Sequence, residues 1–142
     1  MVNVHYTQEL NAAAESAWEL LGDFGSLLRW VAGGDNASIS LTGDGLGMLR
    51  DLALPSVGSV QHRLEALDAD NYLITYRLTA GQPLGMAEYI VSARLQPIGD
   101  MRCTLIWDGE FVPEHSASAA SMAAGLERAY ADMSTRLDQL LK

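Results

Sequence analysis

The feature that most constrains the fold of this chain is a series of short extended segments separated by short breaks. Between residues 37 and 112, stretches with strand composition alternate with breaks that contain glycine, proline, aspartate or asparagine. Breaks of this length join neighbouring antiparallel strands through hairpins. The sequence therefore predicts an antiparallel meander of six strands: Ala37–Thr42, Met48–Leu54, Ser59–Leu67, Tyr72–Ala80, Met86–Gln96 and Met101–Val112.

The segment before the meander predicts one strand and two short helices. Val2–Leu10 alternates apolar and polar residues as a strand does. Asn11 is a candidate N-cap for the helix that follows, Gly22 ends that helix, and a second short helix ends at Trp30. The apolar residues of the first helix share one face: Ala14, Ala17, Trp18 and Leu21.

A long helix is predicted after the meander. Pro113 ends the last strand, and Ser116 or Ser118 can cap the helix. Gly125 lies near its middle at a cost of about 1 kcal/mol relative to alanine, so we expect close approach to the sheet or a bend there. Apolar residues recur at intervals of three or four: Met122, Leu126, Ala129, Met133, Leu137 and Leu140.

The order of these elements predicts a helix-grip architecture. One long helix cannot cover a flat sheet of seven strands, whereas a strongly curved sheet can wrap around it. The space left between helix and sheet is expected to be an apolar cavity that the short helices close at one end. We therefore predict an α+β fold in one domain over residues 1–142. Trp18 and Leu21 are expected in the core and Leu27 at the mouth of the cavity, while Trp30 fits either place.

Composition and charge exclude several classes of function. The chain has 18 acidic and 9 basic residues and a formal net charge of −9, which disfavours nucleic-acid binding. No stretch reaches the roughly 18 apolar residues of a membrane helix, and the first residues lack a signal-peptide pattern. The single cysteine, Cys103, fits a reducing compartment. We predict a cytoplasmic monomer or homodimer that is not inserted in a membrane.

No pattern in the sequence indicates a metal ion or a cofactor. His5, His62 and His115 lie far apart, without the spacing of metal ligands. The glycines of residues 43–47 do not complete the dinucleotide-binding motif G-x-G-x-x-G, because Met48 occupies the position of its third glycine. We therefore interpret them as a turn. Cys103 falls on an apolar face and is expected to be a small hydrophobic residue rather than a nucleophile.

Alternation within the strands predicts a row of polar side chains inside the cavity. With hairpin turns centred on Ser56 and Ala69, Arg50, His62 and Tyr76 lie side by side across three strands. We call these three residues the polar row. Such a row can orient a ligand oxygen in an apolar cavity, although buried polar groups are paired regardless of function.

Two registers are compatible with the last two strands. A turn centred on Gly99 pairs Val91 with Trp107 and Ala93 with Leu105. This register directs an apolar set of side chains inward: Tyr89, Val91, Cys103, Leu105 and Trp107. The alternative register requires a bulge and directs a polar set inward: Glu88, Ser92, Thr104 and Asp108. The apolar set is the expected one.

Four stretches of the sequence also carry a resemblance to a known family: Ala17–Trp30, Gly47–Asp68, Tyr89 and Trp107–Phe111. In this order and spacing they resemble the Bet v 1/START-like (SRPBCC) superfamily, and within it the bacterial polyketide cyclase/dehydrase-like branch. The resemblance implies a fold that holds small, mostly apolar molecules. It does not imply one reaction, because the superfamily includes cyclases, dehydratases, hydrolases, lipid carriers and hormone receptors.

One position departs from the pattern of the family. The residue directly before the Arg63-Leu64 pair is usually a glutamate in the family and is His62 in this chain. If the glutamate pairs with the arginine that corresponds to Arg50, the pair is altered here. A catalytic role shared across the family is therefore in doubt at this position.

Two functions follow as hypotheses. The first is binding of a small hydrophobic molecule of lipid-, aromatic- or polyketide-like character, and the absence of an obvious nucleophile or acid–base dyad favours it. The second is a cyclase/dehydratase-type enzyme. In that enzyme His62 is an acid or base near neutral pH, Arg50 stabilises an oxyanion or enolate, and Tyr76 donates a hydrogen bond. The residues expected to contact a ligand are Leu27, Trp30, Leu52, Ile74, Tyr89, Val91, Leu105, Trp107, Met122, Leu126 and Met133.

Overall fold

Seven strands form one curled antiparallel sheet in the computed structural model, which describes residues 1–142. The order across the sheet is β1-β7-β6-β5-β4-β3-β2. The strands are β1 (Val2–Leu10), β2 (Ser38–Thr42), β3 (Leu49–Leu54), β4 (Gly58–Asp68), β5 (Leu73–Ala80), β6 (Met86–Pro97) and β7 (Cys103–Pro113). The helices are α1 (Ala14–Leu21) and α2 (Ala119–Leu140).

The predicted meander and the helix-grip architecture are confirmed. Each strand boundary differs from the prediction by no more than two residues. Tyr72 was placed in β5 by its composition but lies before the strand, because its backbone adopts a positive φ of 52°. No helix of the structure combines the length and the apolar character that a membrane crossing requires.

The long helix α2 packs mainly along β1 and also contacts β7. Met122, Leu126 and Leu137 are buried as predicted, whereas Ala129 and Met133 are half-buried and Leu140 is 39% exposed. Tyr130 and Ser134 complete the buried face and were not predicted. Buried positions four residues apart advance by about 40° on a helix of 3.6 residues per turn, so the contact stripe winds away from the predicted positions.

An aromatic stack joins α2 to the sheet. Trp107 on β7 is fully buried and lies parallel to the ring of Tyr130, with 4.7 Å between ring centres. Its Nε1 donates a hydrogen bond of 2.9 Å to Ser134 Oγ, which in turn donates to the Tyr130 carbonyl. Gly109 makes room for this arrangement, because a side chain there would overlap the Tyr130 hydroxyl.

The start of α1 differs from the prediction. Ala13, not Asn11, occupies the N-cap position, and no side chain caps the helix. The backbone N–H of Asn11 instead donates to Asp138 Oδ1 at 2.9 Å, which links the end of β1 to α2. Trp18, predicted in the core, is only half-buried and packs at the edge of the core against Tyr72, with 6.0 Å between ring centres.

The second predicted helix is a short 3-10 turn, Leu27–Arg29, followed by another at Gly34–Asn36. Trp30 directly after the first turn is 4% exposed, and its Nε1 donates to Ser26 Oγ at 3.0 Å. Its ring packs against Trp107 at 6.3 Å. Of the two places that the sequence left open for Trp30, the structure gives the core.

The predicted pairing of β3 with β4 at the polar row is correct, whereas the predicted pairing of β4 with β5 is wrong. Arg50 is opposite His62, as predicted. His62 is opposite Leu78 rather than Tyr76, and Tyr76 pairs with Leu64. The cause is the turn between Asp68 and Leu73, which lies later in the chain than predicted, and the irregularity at Glu65 offsets only one residue of that shift. The displacement at His62 is two residues, so His62 and Tyr76 keep their predicted inward face. Beyond the irregularity at Glu65, Ala66 pairs with Thr75 and Leu67 with Ile74, so the alternation of faces in β4 is shifted by one residue there.

A displacement of the same size occurs between β6 and β7. Trp107 pairs with Ala93 rather than Val91, and Leu105 pairs with Leu95 rather than Ala93. The cause is the longer connection, since β7 begins at Cys103 and not at Met101. The apolar set of inward residues is confirmed, because all of its members are buried and the polar alternatives are exposed or half-buried.

Two glycines provide a test of this packing. Gly125 in α2 is half-buried, and a Cβ there would meet only the end of the Arg128 side chain at 3.8 Å. Gly125→Ala should therefore raise the free energy of unfolding by about 0.5–1 kcal/mol through helix propensity. Gly109→Ala should lower it by about 1–3 kcal/mol, because overpacking forces the Tyr130 ring away from Trp107.

Urea denaturation of the two variants beside the wild type measures both effects. Gly125→Ala serves as the matched control, since it adds the same methyl group on the helix that carries Tyr130. Equal effects of the two substitutions would contradict the close contact at Gly109.

Candidate functional site

A cavity of about 120 Å³ lies between the sheet and α2. His62, Tyr76 and Tyr89 supply the polar side chains of its wall, which is otherwise apolar. The lining residues are Leu27, Val31, Leu52, Leu54, Val57, Val60, His62, Tyr76, Pro83, Leu84, Met86, Tyr89, Leu126 and Met133. Depressions of about 320 and 450 Å³ also occur on the surface, but neither contains a member of the polar row.

The structure separates the predicted ligand contacts into two groups. Leu27, Leu52, Tyr89, Leu126 and Met133 line the cavity together with His62 and Tyr76. The remaining residues are buried in the core but are not part of the cavity wall: Trp30, Ile74, Val91, Leu105, Trp107 and Met122. The four of these residues that lie on strands face inward, as alternation requires, and all six lie where the core is filled by side chains.

Several lining residues were not among the predicted ligand contacts. Val57 lies in the β3–β4 turn, and Pro83 and Leu84 lie in the β5–β6 loop. Turns and loops have no periodicity that could indicate which side chain points inward. Leu84 is 46% exposed as well as part of the wall, so this loop separates the cavity from solvent.

Arg50 is the most deeply buried cation of the site, with 3% of its surface exposed. Its guanidinium lies between two rings, 4.0 Å from the centre of Phe24 and 4.6 Å from the centre of Tyr76. Nη1 donates to the Phe24 carbonyl at 3.0 Å, and Nη2 donates to His62 Nδ1 at 3.1 Å. Arg50 therefore holds the segment after α1 against the sheet.

The charge of Arg50 has no counter-ion. Arg50 takes part in none of the salt bridges of the structure, and its Nε has no hydrogen-bond partner. Burial lowers the pKa of Arg50, yet an arginine side chain stays protonated in proteins. The neutral contacts around it are two aromatic faces, a carbonyl and an imidazole, so a positive charge remains uncompensated behind the cavity wall.

The contact with Arg50 fixes the state of His62. A guanidinium can only donate, so His62 Nδ1 must accept and the proton of the neutral ring must sit on Nε2. Burial, with the nearby Arg50 charge as the second cause, lowers the pKa of His62 to about 3. At neutral pH His62 is therefore an uncharged ring whose Nε2–H is a hydrogen-bond donor, and it lines the cavity.

Two tyrosine hydroxyls meet at another part of the site. Tyr89 Oη on the cavity wall lies 2.5 Å from Tyr130 Oη on α2. Burial raises the pKa of both phenols, so both stay protonated. The pair can form a hydrogen bond with a ligand oxygen but does not supply a phenolate base.

Residues with other possible chemistry lie outside this arrangement. Cys103 is buried, and burial raises the pKa of its thiol, which disfavours the reactive thiolate. His5 pairs with Asp108 at 2.6 Å on the surface. No three His, Cys, Asp or Glu side chains gather in a geometry suited to a metal ion.

The state of His62 predicts how stability depends on pH. The folded side chain stays neutral, whereas the unfolded one takes up a proton below its ordinary pKa of about 6.5. The contribution of His62 to the free energy of unfolding should thus be complete above about pH 6.5 and should decline as the pH falls toward about 3. His62→Gln should remove this part of the decline.

Urea denaturation at about pH 5 and pH 7 measures the decline in a range above the titration of most carboxyl groups. The exposed variant His115→Gln is the matched control and should retain the decline of the wild type. A wild-type stability that does not fall between these two pH values would contradict the neutral state of His62.

Three solved structures share this fold over nearly the whole chain. The protein XoxI from Bacillus cereus is 24% identical with a TM-score of 0.85, over 99% of this chain and 96% of that one. The Zhui aromatase/cyclase from Streptomyces sp. R1128 is 17% identical with a TM-score of 0.82, over 99% and 93%. Norcoclaurine synthase from Thalictrum flavum, in complex with a transition-state analogue, is 18% identical with a TM-score of 0.75, over 99% and 93%.

These identities are low enough that the likeness concerns the fold alone. No curated protein matches this chain in sequence. The sequence model of the family described as polyketide cyclase / dehydrase and lipid transport matches residues 1–142. This match agrees with the resemblance carried by the four stretches of sequence. The chain belongs to the polyketide cyclase/dehydrase and lipid transport family.

Proposed function

We propose that this protein binds a small, mainly apolar molecule in the cavity between the sheet and α2. The observation that carries the proposal is the apolar wall of that cavity, which is interrupted only by the side chains of His62, Tyr76 and Tyr89. A concave apolar site with a few convergent polar groups is the usual form of a small-molecule site. Location in the cytoplasm and a monomeric or homodimeric state remain predictions.

The volume of the cavity limits the size of the ligand. Sites for drug-sized molecules have volumes of roughly 300–1,000 Å³, whereas an apolar cavity of about 150 Å³ is enough for benzene. At about 120 Å³ the cavity accepts at most one small ring or a short chain. A polyketide-sized ligand would require the wall to move, and the half-buried, flexible side chain of Met133 is suited to such adjustment.

Chemistry on the bound molecule is the second candidate function, and the polar row favours it. Arg50, His62 and Tyr76 form one connected cluster at the cavity. The lowered pKa of His62 argues against a role as general acid at neutral pH. Hydrogen bonding from His62 Nε2–H and from the Tyr76 hydroxyl would instead polarise a ligand carbonyl. The aromatase/cyclase among the structures of the same fold supports a ring-forming reaction as the class to test.

Filling the cavity should abolish binding. Met133→Trp adds a large side chain at a half-buried position of the wall, and Leu140→Trp makes a comparable change at an exposed position of the same helix. We expect toluene and benzene to raise the melting temperature of the wild type and of Leu140→Trp. Met133→Trp should lose at least about tenfold in affinity, a cost of about 1.4 kcal/mol.

Calorimetric titration with the same two hydrocarbons gives the affinities. The proposal is wrong if no hydrocarbon binds the wild type, or if Met133→Trp binds as tightly as Leu140→Trp.

The enzymatic alternative makes a separate prediction. If the polar row polarises a carbonyl, Arg50→Met and His62→Phe should each lower kcat about 10²-fold or more with any substrate that the wild type turns over. The exposed variant Arg128→Met should keep the wild-type kcat. Unchanged turnover in Arg50→Met and His62→Phe would exclude the polar row from the reaction.

A further inference from the structure

We infer that the ligand of this cavity is a small amphipathic acid, whose carboxylate accepts the Nε2–H of His62 and whose apolar part fills the rest of the cavity. The inference rests on the proposed binding function and adds the chemical class of the ligand. Two observations carry it. The charge of Arg50 has no counter-ion, and His62, which lines the cavity, is hydrogen-bonded to Arg50.

Arg50 is the only buried lysine or arginine of the chain, and it has no counter-ion. Acidic residues outnumber basic ones by 18 to 9, and five of the basic side chains pair with carboxylates on the surface. The buried Arg50 pairs with none, and its Nε–H has no acceptor. A buried charge is costly unless an opposite charge and hydrogen bonds accompany it. A bound anion would provide the missing charge.

His62 determines where that anion binds. Arg50 is not part of the cavity wall, but His62 is, and the two side chains share the hydrogen bond from Nη2 to Nδ1. Because Nδ1 accepts from a cation, the opposite ring nitrogen carries the proton and becomes a stronger donor. No protein group accepts from Nε2 in the structure, and the ring of Tyr76 packs beside it with 4.9 Å between ring centres. An anionic oxygen at Nε2 is therefore favoured by the donor and by the charge behind it.

The wall around this donor excludes a second charge on the ligand. Its other members are apolar side chains and the phenols Tyr76 and Tyr89, and no Lys, Arg, Asp or Glu contributes to it. A second charged group of a ligand would thus have no counter-charge in the wall. Together with the volume of about 120 Å³, this restricts the ligand to one ring or one short chain that carries a single carboxylate.

Three one-ring probes separate the inference from the function on which it rests. Benzoate carries the carboxylate, benzamide has nearly the same shape without the charge, and toluene has no polar group. In wild-type protein near neutral pH we expect all three to bind, with benzoate at least about tenfold tighter than benzamide in calorimetric titration. This preference is the measure of the inference.

Three variants with the same change of one unit in net charge test its origin. Arg50→Met removes the buried charge, and His62→Glu removes the donor and places a carboxylate beside Arg50. Both should reduce the preference for benzoate to about onefold or less while toluene still binds. Arg128→Met removes an exposed arginine and should keep the wild-type preference. If Arg50→Met does not fold, His62→Glu carries the test.

The outcomes are distinguishable. Toluene binding with benzamide as tight as benzoate overturns the inference and leaves the binding function intact. An equal preference in wild type and His62→Glu also overturns it. Failure of toluene and benzoate alike overturns both the inference and the binding function. Benzoate preference that disappears in His62→Glu and persists in Arg128→Met supports both.

Discussion

One helix cannot cover seven strands, and the way this fold meets that constraint creates the cavity. The stack of Trp107 on Tyr130 and the hydrogen bond to Ser134 hold α2 over β1 and β7, at one edge of the sheet. The inner faces of β3–β5 are left for the short segment after α1, where Phe24 lies against Tyr76. The cavity is the gap between these two covers, and its position follows from where α2 is fixed.

Arg50 stabilises the second cover and at the same time gives the cavity its polarity. Its hydrogen bond to the Phe24 carbonyl and its position between two rings hold the segment after α1 in place. Cation–π contacts of a desolvated guanidinium contribute about 2 kcal/mol or more each, and they offset part of its desolvation. An ion pair with a nearby carboxylate would have offset more of it. The fold retains instead a positive potential directed through His62 into the site.

Most of the fold and the existence of the polar row could be predicted from the sequence, because alternation, helical spacing and turn residues are local signals. Pairing partners could not, since the irregularity at Glu65 and the late start of β7 shift partners without leaving a pattern. At the polar row, and between β6 and β7, the net shift is two residues, so the inward faces there are the predicted ones. The burial of Tyr130 was not predicted, because nothing in the sequence distinguishes a tyrosine that stacks on the sheet from an ordinary polar residue of α2. Leu52 borders the cavity, whereas Leu105 is enclosed by other side chains. This difference depends on the packing of several elements at once, which the sequence pattern does not contain.

The strand, helix and loop residues of the cavity wall differ in how readily they can move to enlarge the cavity. Leu52, Val60 and Tyr76 belong to strands whose backbone groups pair on both sides, and Leu126 belongs to a continuous helix. Moving any of these breaks several hydrogen bonds at once. Leu84 lies in the β5–β6 loop with a positive φ of 57°, a conformation that costs a residue with a side chain about 1–2 kcal/mol. A rotation of Leu84 out of that conformation relieves the cost and removes a side chain from the wall. A ligand larger than one ring is therefore accommodated most readily at this loop, at the end of the cavity that borders solvent.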